Sequence, residues 1–416
     1  MIQRLLPSAI VTGYDVAMME KTMAAEYDLG KMRANLPVLE EWTYLNTGTV
    51  GVMAEPVLRK HLDYIADHER FGHATQARAI EGYERARRAL ATLTGSQPAD
   101  VALNRNATDG INWVAATFPL KAGDEIITST EEHPAMILPW LAACERSGAQ
   151  LRYIDLHSDD VNLRTALEGA LSATTRIVTL SQVSCETGKR VPVEIIRDVV
   201  GNDVAILIDA SQSVGQFPVD IPAMRANFAI GNGHKWLAGP KGTGFAWFDP
   251  ATIDLVPPAY FGDGAVEPRW TRAYYQAEPS PRLRYGGDAS QFEFGTRAWH
   301  MYEALADAID YQAAYGWDAI FSHVDRITSL AKAVLEEIPG VDVVTPPTWQ
   351  ESSGIVSFTI AGLGGRDISQ ELWNTERIIQ RSVEAPSAVR VSCSYFTSEE
   401  DVTRLGQAVD RIARGR

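Results

Sequence analysis

Residues 205–245 read AILIDASQSVGQFPVDIPAMRANFAIGNGHKWLAGPKGTGF, and the rest of the chain is best approached from them. The apolar run Ala205–Ile208 delivers Asp209 to its C-terminal end, the edge at which open α/β sheets gather their ligand contacts. A second strand-like run, Asn227–Gly231, leads into Asn232-Gly233-His234-Lys235 and then the glycine-rich Gly239-Pro240-Lys241-Gly242-Thr243-Gly244. A lysine at the end of a buried strand is costly as a bare charge. It must be paired, lowered in pKa or used covalently. Taken singly, each residue has an ordinary reading, Lys235 as a surface turn lysine and Asp209 as a helix N-cap.

Upstream of this stretch, a helical pattern from Tyr83 ends at Gly95. Short β-rich runs follow at Asp124–Thr130, Gln150–Asp155 and Arg176–Val183, with helix-like Pro134–Ser147 and Val193–Val200 among them. Strands separated by helices imply crossover connections and a mostly parallel sheet, because parallel neighbours need a long return path. Downstream, Asp254–Gly295 is rich in Pro, Gly and aromatic residues, including Trp270, Tyr274, Tyr275 and Tyr285, and reads as a long functional loop region. Helical patterns at Ala298–Tyr315 and Trp317–Ile338 then lead to strands at Val341–Val344, Ile355–Ile360 and Val389–Ser394 and a last helix. The expected organisation is an arm over 1–40, a large α/β domain over 41–297 with an insertion at 254–295, and a small α+β domain over 298–416.

Composition narrows the function classes. With 416 residues, 45% hydrophobic and 22% charged, the chain has enough apolar material for two or three domains at roughly 100–200 residues each. Its 38 basic and 53 acidic residues give a net charge of −15, the wrong sign for clamping a phosphate backbone, so nucleic acid is not an expected partner. No apolar stretch approaches the ~18 residues needed to span a bilayer, and the first residues lack a signal-peptide pattern, so a cytoplasmic location without membrane attachment is expected. The three cysteines, Cys144, Cys185 and Cys393, have no paired spacing and imply neither a disulfide framework nor a metal site.

Asp209 and Lys235 together form the pair that pyridoxal 5'-phosphate (PLP) chemistry needs. The lysine forms a Schiff base, and a buried carboxylate keeps the pyridine nitrogen protonated so that the ring can accept electrons. Around them, Tyr44-Leu45-Asn46-Thr47-Gly48, Asn106-Ala107-Thr108-Asp109-Gly110-Ile111-Asn112, Glu132-His133-Pro134-Ala135 with Pro139-Trp140, Asp209-Ala210-Ser211-Gln212 and Gly233-His234-Lys235 occur in order. This series resembles the class V aminotransferase group of fold-type I PLP enzymes, which includes cysteine desulfurases, selenocysteine lyases and isopenicillin N epimerases. The resemblance spans about residues 40–412. It implies an α/β fold with a mostly parallel, seven-stranded-type sheet flanked by helices, and PLP as cofactor.

The resemblance also implies roles. Lys235 would be the Schiff-base lysine and general acid/base, Asp209 the partner of the pyridine nitrogen, and Gln212 a hydrogen-bond partner of the phenolic oxygen. His133 would stack on the ring, although a histidine before a proline also suits a helix cap. Ala107 and Thr108 would open a helix toward the phosphate, a favourable place for an anion. Asn232, where the family more often has Ser, and His234 would complete that cup. Thr296, within Phe294-Gly295-Thr296-Arg297, would reach the phosphate of a neighbouring subunit and make the active site a property of a homodimer. Arg390 would hold the substrate carboxylate with its planar fork, and Asn46 would join it in substrate binding.

The chain also departs from that pattern. Desulfurases need a mobile cysteine shortly before the carboxylate-binding arginine, whereas Thr375–Arg390 reads TERIIQRSVEAPSAVR, without cysteine. Cys393 reads as a small core residue, while Cys185, in Ser184-Cys185-Glu186-Thr187-Gly188, occupies a segment that commonly carries Asn near the phenolic oxygen. The aromatic stretch fits either a lid over a bulky substrate or an interface loop, and points to specialised metabolism. The expected activity is a C–S β-lyase acting on an S-substituted cysteine. The alternatives are an amino-acid epimerase, an aminotransferase, a decarboxylation-coupled oxidative deaminase and a PLP-binding scaffold.

Overall fold

Alternation within single strands shows how the chain builds its main sheet. In Ala205–Asp209, Ile206 and Ile208 enter one apolar cluster while Ala205 and Leu207 enter another, so both faces are covered. Each fully buried Leu or Ile of this kind contributes about 1.5–3 kcal/mol. The structure is a computed structural model that describes residues 27–156, 162–262, 265–266 and 285–415. The first part of the expected arm, residues 1–26, lies outside the described residues. So does about half of the aromatic stretch (263–264 and 267–284), with Trp270, Tyr274 and Tyr275.

After a short strand β1 (Thr43–Tyr44) come β2 (Val101–Asn104), β3 (Glu125–Ser129), β4 (Gln150–Ile154), β5 (Thr175–Ser181), β6 (Ala205–Asp209), β7 (Phe228–Asn232) and β8 (Gly244–Phe248). The last seven form one sheet in the order β2-β8-β7-β6-β5-β3-β4. Pairing is parallel throughout except at β8, which runs antiparallel to β2 and β7. This is the α/β architecture with a mostly parallel sheet that the strand and helix alternation implied. Its register aligns Ser181 with Asp209 and Asp209 with Ile230, so Asp209 and the residues following β7 emerge at one edge. The helix Pro134–Ser147 has the anticipated bounds. His133 caps its start, and Gly148 ends it at φ 78°, a left-handed conformation that glycine adopts without strain.

A second sheet lies toward the C-terminus. Strands β9 (Val341–Val343), β10 (Ile355–Ile360), β11 (Ile378–Ile379), β12 (Arg381–Val383) and β13 (Ala388–Ser392) follow the helices Trp299–Ala313 and Trp317–Glu336. Four of them form an antiparallel sheet ordered β12-β13-β10-β9, backed by the helices Trp317–Glu336 and Glu399–Arg414 through a separate apolar cluster. Residues 43–44, grouped by sequence with the large domain, pair instead with β11, and Ser392 N donates to Leu45 O at 2.8 Å. Strand pairing of such sequence separation leaves no local signal. Among the described residues no helix is long and apolar enough to cross a membrane.

The segment that carries Thr296 is pinned to the sheet edge by a buried ion pair. Arg87 forms a bidentate pair with Glu293 (2.8 and 2.9 Å) and also donates to the Val101 carbonyl. Glu293 Oε1 accepts from Leu103 N at 2.7 Å, and Arg297 donates to Leu103 O at 3.0 Å. Removing one partner of a buried pair leaves the other charge uncompensated, at a cost of about 3–5 kcal/mol. Arg87→Ala is expected to lose about that much stability in urea denaturation, and a loss below about 1 kcal/mol would show that the pair does not hold this segment.

Candidate active site

The edge shared by β6 and β7 places Asp209 and Lys235 together. Asp209 is buried and its Oδ1 accepts from Ser211 N at 2.8 Å, which fixes the carboxylate at the strand end. Burial pulls the Lys235 ammonium below its ordinary pKa, and the nearby Asp209 carboxylate opposes that shift. The lysine's backbone is backed by the N-terminal segment: Gly51 N donates to His234 O at 2.7 Å. A Cβ on Gly51 would lie 2.1 Å from the Lys235 carbonyl, so only glycine allows this approach. Lys235 therefore depends on a residue far away in sequence.

His133 does cap the helix Pro134–Ser147, its Nδ1 accepting from Ala135 N at 3.1 Å. An accepting Nδ1 puts the proton of the neutral ring on Nε2. Burial and the Lys235 charge both hold the ring below its ordinary pKa, so cap and neighbour of the lysine are one residue. Beside it, Glu132, which sequence reasoning quoted without assigning a role, accepts from Ser181 N (2.9 Å), Ser181 Oγ (2.5 Å) and Ser129 Oγ (2.9 Å). It ties the ends of β3 and β5 to the loop bearing His133. Burial pushes its carboxyl up to about 7, with the Asp209 charge adding to the effect.

Other predicted residues fall into two groups. At the start of the helix Ala107–Thr117, Ala107 N donates to Asn232 Oδ1 at 2.9 Å, and Asn232 Nδ2 donates to Ser211 Oγ at 2.9 Å. Asn232 thus takes an amide that was expected to face the phosphate, while Thr108 is exposed. His234 keeps a buried Nδ1 without a hydrogen-bond partner. Gln212 spans toward the N-terminal segment: Nε2 donates to Gly48 O at 2.8 Å and Oε1 accepts from Trp236 Nε1 at 2.9 Å. Thr296 is exposed and is not drawn into this chain's own cluster.

The second group surrounds Arg390, whose position in β13 buries it almost completely. Its Nη1 donates to Cys185 O at 2.7 Å and its Nη2 to Thr49 Oγ1 at 2.6 Å, while Nε is buried without a partner. Burial pulls the guanidinium down to about 10, which leaves it cationic at neutral pH. Asn46, adjacent through a bridge to Ser392, also has a buried Oδ1 without a partner. Burial pushes the Cys185 thiol up to about 12, so it holds its proton. Cys393 lies in the core of the small sheet. Sequence reasoning missed Thr49 and Gly51, although the quoted motif stops one residue short of Thr49.

These residues suit PLP chemically. A lysine of lowered pKa stands near a fixed carboxylate, and His234 Nδ1, Arg390 Nε and Asn46 Oδ1 are buried polar atoms awaiting partners, which buried groups otherwise find within the protein. Glu132 gives a separate test of the electrostatics. Its folded pKa is raised above 4.5 to about 7, so between those values the folded cofactor-free protein binds more protons than the unfolded chain, and this group's contribution to stability falls as pH rises. Glu132→Gln, which mimics the protonated form, should become more stable relative to the wild type at pH 8 than at pH 5 in urea denaturation. A difference independent of pH would show that the carboxyl ionises normally.

Comparison with known proteins agrees with this arrangement. The aminotransferase class V family model matches residues 48–405. Isopenicillin N epimerase of Streptomyces clavuligerus is 29% identical over 337 residues, covering 79% of this chain and 83% of the epimerase. A probable cysteine desulfurase of Methanothermobacter thermautotrophicus is 28% identical over 404 residues, covering 92% and 97%. A solved complex of the cystine C–S lyase C-DES with its product cysteine persulfide superposes with a TM-score of 0.82 at 26% identity, covering 90% of this chain and 99% of that one. With the fold and the family match in agreement, this chain belongs to the class V aminotransferase family and is a PLP-dependent enzyme.

Proposed function

We propose that the enzyme is a C–S β-lyase that releases a thiol, pyruvate and ammonia from an S-substituted L-cysteine and water, without a persulfide on the protein. The observation that carries this reading is the short connection before Arg390. Strand β12 ends at Val383 and β13 begins at Ala388, so Glu384–Ser387 is a tight link with neither the length nor the thiol for sulfur transfer. The remaining cysteines do not substitute for one. Cys185 and Cys393 are buried with thiols pushed up to about 12, and a thiolate is the reactive form.

When bound, PLP supplies an electron sink for negative charge at the substrate α-carbon. In this reading Lys235 would hold the cofactor covalently, Asp209 would partner its ring nitrogen, and His133, with its proton on Nε2, would contact the ring. The buried Arg390 fork takes the substrate carboxylate, and Asn46 offers Oδ1 beside it. Burial lowers the Lys235 pKa, which favours the free amine that would remove the α-proton, the one proton transfer that elimination requires before the thiolate leaves. Thr108 and His234 would receive the phosphate, and exposed Thr296 would reach the partner subunit's site in a homodimer. Epimerisation is the second reading, favoured by the neutral Cys185 thiol close enough to Lys235 to interact with it electrostatically, since epimerisation needs a second proton donor.

The deciding experiment treats the PLP-loaded enzyme in deuterated water with S-substituted L-cysteines and other L-amino acids and reads the products by mass spectrometry. Pyruvate with free thiol is expected. Recovery of intact substrate carrying deuterium at the α-carbon, and no pyruvate, would replace the lyase by the epimerase. Lys235→Ala should abolish turnover together with the visible absorbance of the lysine-bound cofactor, and a retained band would remove Lys235 from that role. Arg390→Ala should lower kcat/KM by about 10- to 100-fold, the range set by losing a hydrogen bond to a charged group. An unchanged KM would place the substrate carboxylate elsewhere.

A further inference from the structure

Lys332, on the helix Trp317–Glu336, is a buried lysine, 3% exposed, that forms no ion pair among the described residues. Its ammonium donates instead to Pro346 O (3.0 Å), Pro347 O (2.7 Å) and Ser352 Oγ (3.0 Å). All three acceptors belong to residues 344–354, the connection between β9 and β10. A buried ammonium is costly unless its donors are satisfied, and here its three donors have one acceptor each. Three charge-assisted hydrogen bonds from one atom fix the two ends of that connection relative to each other.

The connection is bonded in turn to the segment that receives Arg390. Thr345 Oγ1 donates to Thr187 O at 2.6 Å, Ser353 Oγ to Gly188 O at 3.0 Å, and Arg190 donates from N to Glu351 O (2.7 Å) and from Nε to Ser352 O (3.1 Å). A second route runs through β10. Thr345 Oγ1 accepts from Ser357 N at 2.7 Å, Ser357 Oγ donates to Glu186 O at 2.5 Å, and Ser357 stands opposite Arg390 in the strand register. Both routes end on residues 186–190. The residue before them, Cys185, offers the carbonyl that accepts from Arg390 Nη1 at 2.7 Å. Arg390 Nε has no partner, so the fork is aimed by two acceptors, Cys185 O and Thr49 Oγ1. The guanidinium is planar, and a shift of either acceptor turns the whole group.

We propose that Lys332 is a positioning residue for substrate binding: by closing the connection between β9 and β10 it holds residues 186–190, and through the Cys185 carbonyl it sets the direction in which Arg390 meets the α-carboxylate of an amino acid. The inference rests on the reading of Arg390 as the carboxylate site. Lys332 acts only through this chain of hydrogen bonds.

The test compares S-propyl-L-cysteine with 2-(propylthio)ethylamine, which differ only in the α-carboxylate, on the PLP-loaded enzyme. Binding is read from the shift in cofactor absorbance immediately after mixing, before turnover. Lys332→Met keeps most of the side-chain length and removes the donors. It should weaken the amino acid about 10-fold, the scale of one hydrogen bond to a charged group, and leave unchanged both the affinity for the amine and the absorbance of the lysine-bound cofactor. In an Arg390→Ala background the same substitution should have no further effect, because residues that act through one group are not additive. Thr345→Val, which removes one hydroxyl from the same framework, should show the same selective loss, and it decides the matter if Lys332→Met does not fold. Equal weakening of both compounds, or an undiminished affinity for the amino acid, overturns the proposal. Arg390→Ala separates the two readings. If it weakens the amino acid while Lys332→Met and Thr345→Val do not, the positioning role alone fails; if it leaves that affinity intact, the carboxylate reading fails and the proposal with it.

Discussion

Burying a lysine and an aspartate at one edge of a parallel sheet is the constraint on which the rest of the structure depends. Desolvation lowers the pKa of Lys235, and the Asp209 carboxylate opposes that. The register of β5, β6 and β7 sets Asp209 in place. The Gly233-His234 turn then brings the lysine round to meet it. A lysine whose pKa is lowered in this way gives up its proton more readily than an exposed one. A hydrophobic pair of the same volume would be easier to bury but could neither hold a cofactor nor move a proton.

The N-terminal segment serves the same edge from the opposite side. Residues 43–51 first pair with β11, then contact Ser392, then meet Gln212, Arg390 and the backbone of Lys235 in turn. A stretch of nine residues thus joins Arg390 to the backbone beside Lys235. Gly51 is required for that approach, and Thr49 supplies the hydroxyl that receives Arg390. Through this segment the small sheet and the Lys235 backbone are held in one hydrogen-bonded framework.

The parts of this arrangement that were legible in the sequence are those whose signal is local. AILID followed by a polar turn, Asn232-Gly233-His234-Lys235 after an apolar run, and a proline-started helix behind His133 each announce themselves within a few residues, and they yield the sheet, the family and the central pair. What escaped depends on cross-strand or long-range pairing. Residues 43–44 join strands more than 300 positions away, and Glu132 is singled out only by the serines at the ends of β3 and β5. Asn232 was legible as a site residue, but its choice of Ala107 N and Ser211 as partners follows from side-chain geometry that residue spacing does not encode.

The chemistry available to this site turns on where protons are held rather than on which nucleophiles are present. Burial keeps the Cys185 thiol neutral while it lowers the Lys235 ammonium, so the same low-polarity surroundings disarm the sulfur and arm the nitrogen. A desulfurase needs the reverse at sulfur, a thiolate free to approach the substrate, and therefore an exposed loop. Here the residues before Arg390 instead fold into a hairpin that holds Arg381 opposite Arg390. The link between the two strands, Glu384–Ser387, is four residues long and carries no cysteine.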